Sequence, residues 1–337
     1  MNVLLTGGTG YIGSHTFIAL SELGHQVVLY DNLSNSSDSV LEKLVQITGR
    51  EIAFVKGDVL DTESLKHTLV ANNIDAVIHF AGLKAVGESV EKPVDYYANN
   101  VQGTISLLQA MYATKVKTLV FSSSATVYGK PQYLPLDESH PTSPTNPYGR
   151  SKLHIEEMLK DVASSDGDWR IACLRYFNPV GAQESGLIGE SPTGVPNNLM
   201  PYIAQVAAGL RAELKVFGND YPTDDGTGVR DYIHVMDLAE GHAAALAFLS
   251  RTAGWHAINL GTGKGYSVLD MVRAFEKASG RQVPYKIVSR RAGDVAAYYA
   301  DPQKALEALS WRSTRSLDDM CGSAWQYQQS QEVVVAS

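Results

Sequence analysis

The sequence predicts an α/β fold with a doubly wound parallel sheet and a smaller, discontinuous C-terminal α/β lobe. Short apolar runs alternate with amphipathic helical patterns through the first half of the chain, and this rhythm changes after residue 176. Strands that alternate with helices are typical of βαβ units. Right-handed crossovers between such strands place helices on both faces of the sheet.

Six strands and three helices are predicted in the first half of the chain. Apolar runs indicate strands at residues 3–5, 26–30, 52–55, 76–80, 118–121 and 169–176. Helical periodicity indicates helices at residues 12–23, 62–71 and 94–114.

The second half is less regular. Residues 178–196 are rich in Gly and Pro and predict a long functional loop or lid. Helices are expected at 237–249 and 267–278. We therefore divide the chain into a first domain, residues 1–176, and a discontinuous substrate lobe, residues 177–330. We expect segments near 229–260 to return to the first sheet.

The composition limits the possible functions. The chain has 337 residues, of which 44% are apolar, so it can bury a sizeable core. Its formal net charge of −8 argues against nucleic acid and anionic membranes as partners. A local group of Arg residues could still bind a small anionic ligand.

The cysteines and the N-terminus predict a cytoplasmic protein. Cys173 and Cys321 are too few for a disulfide framework and form no CxxC pair. Residues 1–7 lack the pattern of a signal peptide, and no apolar run is long enough to cross a bilayer. No His or Cys spacing suggests a metal site.

A glycine pattern follows the first predicted strand. Gly7, Gly10 and Gly13 open the first predicted helix. Such glycines allow a sharp turn and a close approach of backbone to a pyrophosphate, and the helix N-terminus offers free N–H groups to the phosphates. The first domain is therefore predicted to be a Rossmann-type dinucleotide-binding domain.

The second strand indicates which dinucleotide is bound. Asp31 ends this strand, where an acid accepts hydrogen bonds from the ribose 2′-hydroxyl and repels a 2′-phosphate. The next five residues, 32–36, contain no Arg or Lys. We therefore expect NAD rather than NADP. Two later segments, 57–59 and 80–84, follow strands and could also contact this cofactor.

A Tyr and a Lys are placed to act together. Tyr148 and Lys152 are four residues apart, so on a helix they share one face. Pro147 suits the first helical turn, which Ser143 or Asn146 could cap. Ser124 ends the fifth strand, and ligands of open α/β sheets bind at the carboxyl ends of strands.

These features and several longer segments resemble the UDP-glucose 4-epimerase (UDP-galactose 4-epimerase) family of extended short-chain dehydrogenase/reductases. The resemblance runs from residue 5 to about 325. Its most specific parts are HFAGLKAVGES at 79–89, LRYFNPVGA at 174–182, PNNLMPY at 196–202 and DGTGVRDYIHV at 225–235.

The resemblance implies a role for each matching residue. Tyr148 would be the base, Lys152 its partner and Ser124 a contact to the sugar. The NAD site would be formed by Gly7, Gly10, Tyr11, Ile12, Gly13, Asp31, Asn32, Leu33, Ser34, Asn35, Ser36, Asp58, Val59, Phe80, Ala81, Gly82, Lys84, Asn99, Ser122, Tyr148, Lys152 and Phe177. The UDP-sugar would contact Lys84, Ser124, Tyr148, Asn178, Asn197, Asn198, Leu199, Val216, Phe217, Arg230, Arg291, Asp294 and Tyr298.

The implied activity interconverts UDP-glucose and UDP-galactose through transient NAD-dependent oxidation at the sugar C4, in a homodimer that packs through the helices of Val94 and Pro147. A phenol has a pKa of about 10, and one cation about 5 Å away lowers it by about 2 units. We therefore expect Lys152 and the positive nicotinamide together to bring the pKa of Tyr148 near neutrality.

Other functions stay open at this point. A 4-epimerase could also accept UDP-N-acetylhexosamines, although Tyr298 would crowd an N-acetyl group. Another NAD-dependent nucleotide-sugar epimerase or dehydratase is possible, although a 4,6-dehydratase needs an acid beside Ser124, where Ala125 and Thr126 stand. A non-catalytic NAD sensor would not need the Tyr148 and Lys152 pair.

Overall fold

The computed structural model describes residues 1–192, 194–291 and 293–336, with side chains to residue 331. Thr193, in the predicted long loop, and Ala292, in the predicted lobe, lie outside the described residues. The strands are β1 (Asn2–Thr6), β2 (Gln26–Asp31), β3 (Ala53–Lys56), β4 (Ala76–His79), β5 (Thr118–Ser124), β6 (Arg170–Tyr176), β7 (Asn178–Val180), β8 (Leu214–Phe217), β9 (Val229–His234), β10 (Gly254–Leu260), β11 (Gly265–Ser267), β12 (Tyr285–Val288) and β13 (Ala297–Tyr298).

The helices lie mainly between these strands. They are α1 (Tyr11–Glu22), α2 (Ser39–Thr48), α3 (Thr62–Ala71), α4 (Val86–Glu91), α5 (Pro93–Tyr96), α6 (Gly103–Thr114), α7 (Pro147–Ser165), α8 (Leu199–Ala207), α9 (Val235–Leu249), α10 (Val268–Ser279), α11 (Gln303–Leu309) and α12 (Leu317–Ala336). Short 3₁₀ and π segments span Ala125–Tyr128 and Tyr97–Gln102. No helix among the described residues is long and apolar enough to cross a membrane.

The predicted doubly wound sheet is confirmed. Seven parallel strands lie in the order β10-β6-β5-β4-β1-β2-β3. The strand order reverses between β1 and β4, which is the place where open α/β sheets bind ligands.

Helices cover both faces of this sheet. Val3 and Leu5 of β1 pack in one apolar cluster, whereas Leu4 packs in the cluster on the opposite face. Successive side chains of a strand point to opposite faces, so a strand that is apolar throughout must be covered on both. This explains why β1 has no alternation of polar and apolar residues.

The second lobe has its own sheets and core. β9 pairs with β7, β11 and β13, and β8 pairs with β12. An apolar cluster that includes Met200, Ile203 and Phe275 fills this lobe. The expectation that residues 229–234 join the first sheet is wrong, because β9 pairs with three strands of the small sheet instead. Strand β10 does return to the large sheet, and α9 packs on α1.

The helix predicted at 94–114 is interrupted. Its middle is the π-helical segment Tyr97–Gln102, between α5 and α6. Such segments are rare and are often found at functional sites. The long loop predicted at 178–196 contains the short strand β7 at its beginning.

Candidate active site

The glycine turn leaves no room for side chains. Gly7 has a φ of +68°, and a Cβ added there would lie 2.7 Å from the Ala81 amide nitrogen. A Cβ at Gly13 would lie 2.4 Å from the Gly7 carbonyl oxygen. Helix α1 begins at Tyr11 after Gly10, which provides no side-chain cap. The first N–H groups of α1 are therefore available to a phosphate, so the turn fits a dinucleotide.

Asp31 organises the backbone beside this turn. Its carboxylate accepts hydrogen bonds from the amides of Thr9, at 3.1 Å, and Leu33, at 2.9 Å. The Ser36 hydroxyl donates to the same carboxylate at 3.3 Å. These bonds draw the segment after β2 against the glycine turn, at the expected position of an adenosine ribose.

Asn32 and Asp58 connect the ends of β2 and β3. The Asn32 side-chain amide donates to Asp58 at 2.9 Å. Val59, beside Asp58, is buried. The structure thus brings together the cofactor residues predicted on the second and third strands.

The segment after β4 links the glycine turn to the helix that carries Lys152. A Cβ added at Gly82 would lie 3.8 Å from Lys152 Nζ and 3.1 Å from Asn100 Oδ1. Asn100 also accepts a hydrogen bond from the Leu83 amide at 2.8 Å and donates to Ser151 at 3.2 Å. The sequence analysis did not predict a role for Asn100. The one feature that could have indicated it is its position next to Asn99, which was predicted to contact NAD.

The expected Tyr–Lys pair lies at the start of α7. The Asn146 side chain caps this helix by accepting a hydrogen bond from the Gly149 amide at 2.8 Å, as one of the two predicted caps. Lys152 is buried, and its Nζ lies 5.9 Å from the centre of the Tyr148 ring. Nζ also donates to the Ser122 carbonyl oxygen at 2.6 Å.

Burial dominates the electrostatics of this pair. Burial raises the pKa of the Tyr148 phenol, and the nearby Ser124 hydroxyl opposes this rise only in part. Burial also lowers the pKa of Lys152 to about 8. The protein by itself therefore does not bring Tyr148 near neutrality, because desolvation disfavours both charged forms.

A cluster of charged and aromatic side chains lies in the second lobe. Asp294 lies between two arginines, 3.2 Å from Arg291 Nε and 3.9 Å from Arg230 Nη2. The Arg291 guanidinium stacks 4.6 Å from the centre of the Phe217 ring. Val216, also predicted for the substrate site, is buried beside Phe217 on β8. These residues are distant in sequence and adjacent in space, as the predicted UDP-sugar site requires.

Glu190 joins two predicted ligand residues and was missed by sequence reasoning. Its carboxylate accepts a hydrogen bond from Asn198 at 2.6 Å and lies 3.4 Å from Lys84 Nζ. The phenol of Tyr11 donates to the Gly181 carbonyl at 2.7 Å. The Lys84–Glu190 contact holds the segment after β7 against the segment after β4, and the Tyr11–Gly181 contact holds it against the start of α1.

Tyr298 lies beside the Ser124 end of β5. Its hydroxyl donates to the Ala125 carbonyl at 2.6 Å, and its ring centre lies 5.9 Å from that of Phe177. Among the remaining predicted contacts, Asn178, Asn197 and Asn198 are exposed, whereas Ile12, Asn99 and Leu199 are half-buried. No group of His, Cys, Asp and Glu in the part of the chain that the structure describes could hold a metal ion.

Comparisons with known proteins agree with this architecture. A family model described as GDP-mannose 4,6 dehydratase matches residues 4–324. The UDP-glucose 4-epimerase of Bacillus subtilis (strain 168) is 56% identical over 98% of this chain and 97% of its own. That of Homo sapiens is 58% identical over 97% of this chain and 96% of its own.

The chain belongs to the family described by this GDP-mannose 4,6 dehydratase model and, within that family, to the UDP-glucose 4-epimerases. Two solved structures of that group superpose closely. The enzyme of Stenotrophomonas maltophila, with bound NAD and formylated UDP-arabinopyranose, has a TM-score of 0.98 at 51% identity, covering 99% of both chains. The enzyme of Bifidobacterium longum, with NAD+ and UDP, has a TM-score of 0.95 at 52% identity, covering 98% of this chain and 99% of that one.

Proposed function

We propose that the protein interconverts UDP-glucose and UDP-galactose with NAD as a resident cofactor. The observation that carries this proposal is the position of Tyr148, Lys152 and Ser124. Ser124 ends β5, and Tyr148 and Lys152 lie on α7, which the bond from Lys152 to the Ser122 carbonyl holds against that end of the strand. Lys152 also lies close to Gly82, which follows Ala81, the residue packed against the Gly7 turn that fits a dinucleotide. Full-length relatives at 56–58% identity are UDP-glucose 4-epimerases.

The cofactor site would be built on the first four strands. The backbone around Gly7 and Gly13 would receive the pyrophosphate, and Asp31 would bind the adenosine ribose. The segment at Gly82 would contact the part of NAD that lies nearest Lys152. NAD supplies the chemistry that the side chains lack, because it can take a hydride from the sugar C4 and return it.

Tyr148 would be the proton acceptor and donor for the sugar 4-hydroxyl. Burial raises the pKa of its phenol, so it becomes a base only when Lys152 and the oxidised cofactor both contribute positive charge. Ser124, at the end of β5, would contact the same sugar hydroxyl. Lys152, held by the Ser122 carbonyl, keeps its ammonium on the Tyr148 side of the helix.

The UDP group must stay anchored while the sugar turns. Arg230 and Arg291 can bind the diphosphate, because a guanidinium fork matches its oxygens. Asp294 pairs closely with Arg291, whereas Arg230 is held by the carbonyls of Val229 and Val295 and lies 3.9 Å from Asp294. Both guanidinium groups could therefore turn part of their surface to a diphosphate.

Tyr298 supports a preference for sugars without an N-acetyl group. Its hydrogen bond to the Ala125 carbonyl fixes a bulky ring next to Ser124. A fixed ring cannot swing away to admit an acetamido group. We therefore expect UDP-glucose and UDP-galactose to be preferred over UDP-N-acetylhexosamines.

We infer that the protein works as a homodimer. Val86, Val90 and Val94 on α4 and α5 expose 43%, 63% and 75% of their surface. Both helices pack against α7, so apolar side chains and α7 form one face. Val94→Asp should give a monomer in light scattering, whereas an unchanged mass would contradict this interface.

We also infer a cytoplasmic location. Cys173 and Cys321 are both free and buried. Such thiols are usual in a reducing compartment. Fractionation of the source cells would test this inference, and enrichment outside the cytoplasm would contradict it.

Turnover of UDP-galactose tests the proposed activity. Purified protein should convert UDP-galactose to UDP-glucose, which chromatography can separate. Tyr148→Phe should reduce turnover by at least about 100-fold, because the base is lost, while NAD binding is retained. Tyr112→Phe, on the exposed surface of α6, is the matched control and should leave turnover unchanged. Wild-type turnover in Tyr148→Phe would exclude this mechanism.

A further inference from the structure

A buried ion pair lies one helical turn beyond Lys152. Arg175 on β6 binds Glu156 on α7 through a bond of 2.6 Å from Nη2 and one of 3.1 Å from Nε. Both side chains are almost completely buried, with 5% and 2% of their surface exposed. Burying two charges is costly, and such a pair is weak evidence for a purely stabilising role.

Glu156 also contacts the strand that carries the proposed sugar contact. The Ser123 hydroxyl donates to Glu156 Oε1 at 2.5 Å. One residue earlier, the Ser122 carbonyl accepts the hydrogen bond from Lys152. Helix α7 is thus tied to β5 at two consecutive residues, immediately before Ser124.

The charge of Glu156 acts on Lys152. Burial lowers the pKa of Lys152, and this is the largest effect on it. The Glu156 carboxylate acts in the opposite direction and raises the pKa of Lys152. The titratable and charged groups facing this region are Tyr148 and Glu156 on α7, His79 on β4, and Cys173, Arg175 and Tyr176 on β6. Burial lowers the pKa of His79 to about 3 and raises those of Cys173 and Tyr176, so all three are neutral near pH 7. Glu156 is therefore the anion of this group.

We propose that Glu156 is a positioning residue for the proposed epimerase reaction: it holds α7 on β5 through Ser123, and it places a carboxylate one helical turn behind the Lys152 ammonium. Arg175 holds the carboxylate in place through its two hydrogen bonds. This inference rests on the proposed function of Tyr148 and Lys152. Tyr148, Lys152 and Glu156 are spaced by four residues, so one face of α7 carries the base, its cation and the anion behind the cation.

Glu156→Gln tests the charge with little change in shape. The alkaline limb of the pH profile of kcat/KM should move to lower pH by about one unit, because Lys152 loses its proton earlier. Glu157→Gln, at the next and exposed position, is the matched control and should leave the profile unchanged. A profile of Glu156→Gln that coincides with that of the wild type would overturn the proposal.

A second measurement does not depend on activity. The unfolding free energy of each protein is compared with that of its Lys152→Met counterpart across pH, which reports the pKa of Lys152 in the folded state. This difference changes between the folded and the unfolded pKa of Lys152, so its midpoint lies halfway between them. The midpoint should therefore fall by about half a unit in the Glu156→Gln background, where the folded pKa falls by about one unit. An unmoved midpoint in an active enzyme refutes this inference alone, whereas a wild type that does not convert UDP-galactose refutes the proposed function.

Glu156→Asp keeps the experiment decisive if Glu156→Gln does not fold. The shorter side chain retains the charge but draws away from Ser123. Its Lys152 midpoint should stay close to that of the wild type while kcat falls. An unchanged kcat would overturn the positioning role, and a midpoint lowered as far as expected for Gln would overturn the role of the charge.

Discussion

The ammonium of Lys152 lies 5.9 Å from the centre of the Tyr148 ring, one turn away on α7, and donates a 2.6 Å hydrogen bond to the Ser122 carbonyl. Its position is energetically unfavourable for the folded protein, since burial lowers the pKa of Lys152 to about 8. The charge proposed to activate Tyr148 is thus maintained at the expense of stability, as is common at catalytic sites.

Removing this charge should stabilise the protein. The pKa of Lys152 falls from about 10.5 in the unfolded chain to about 8 in the folded one, so the unfolded chain binds the proton more strongly and stability rises with pH between these values. The shift corresponds to about 3 kcal/mol of destabilisation at pH 7. Lys152→Met should therefore raise the melting temperature at pH 7 while abolishing turnover.

The pH dependence distinguishes this effect from a change in packing. The stability difference between Lys152→Met and the wild type should shrink as the pH rises from 7 to about 9, because the wild type loses its buried charge. Thermal unfolding followed by circular dichroism measures it. A variant that is less stable by the same amount at both pH values would contradict the buried ammonium.

Arg291 and Arg290 form a natural pair for testing the diphosphate site. Arg291 stacks on Phe217 and contacts Asp294, whereas Arg290 contacts Asp220 and stacks on Tyr221. Arg291→Ala should weaken UDP binding by about 10- to 100-fold, since a charge-assisted hydrogen bond contributes about 1.5–3 kcal/mol. Calorimetry with UDP gives the affinity.

Arg290→Ala removes the same charge one residue earlier and should leave UDP affinity nearly unchanged. Equal losses of UDP affinity in Arg290→Ala and Arg291→Ala would mean that UDP responds only to the total positive charge of this region. In that case the cluster around Asp294 would not be the diphosphate site.

Tyr298 should control the response to an N-acetyl group. Tyr298→Ala opens space beside Ser124 and should increase turnover of UDP-N-acetylglucosamine relative to UDP-galactose. Tyr298→Phe loses only the hydrogen bond to Ala125, so it should retain most of the wild-type selectivity. Initial rates on both substrates provide the ratio, and a ratio that Tyr298→Ala leaves unaltered would place the selectivity elsewhere.

Asp31 should determine the choice of dinucleotide. Asp31→Asn weakens acceptance of a ribose hydroxyl and removes the charge that repels a 2′-phosphate. We expect NAD affinity to fall by about tenfold and NADP to compete better. The exposed Asp38→Asn is the control. Retention of full preference for NAD in Asp31→Asn would show that Asp31 acts only on the backbone of Thr9 and Leu33.

Local sequence patterns predicted the parts of the site that depend on neighbouring residues. The Gly7, Gly10 and Gly13 turn follows from backbone sterics, and the shared face of Tyr148 and Lys152 follows from the helical repeat. The same repeat could have revealed Glu156, since it lies four residues beyond Lys152. Its meaning was not visible, because Arg175 reaches it from another element.

The sequence by itself determined the parallel sheet, the dinucleotide turn and the side chains that share one helical face, because each depends on spacing along the chain. Only the tertiary structure decided that β9 joins the small sheet, that Glu190 lies between Lys84 and Asn198, and that Tyr298 reaches Ala125 across 173 positions. Such contacts arise from the packing of elements that are distant in sequence. The shifted pKa values of Tyr148 and Lys152 have the same origin, since burial exists only once the chain has folded.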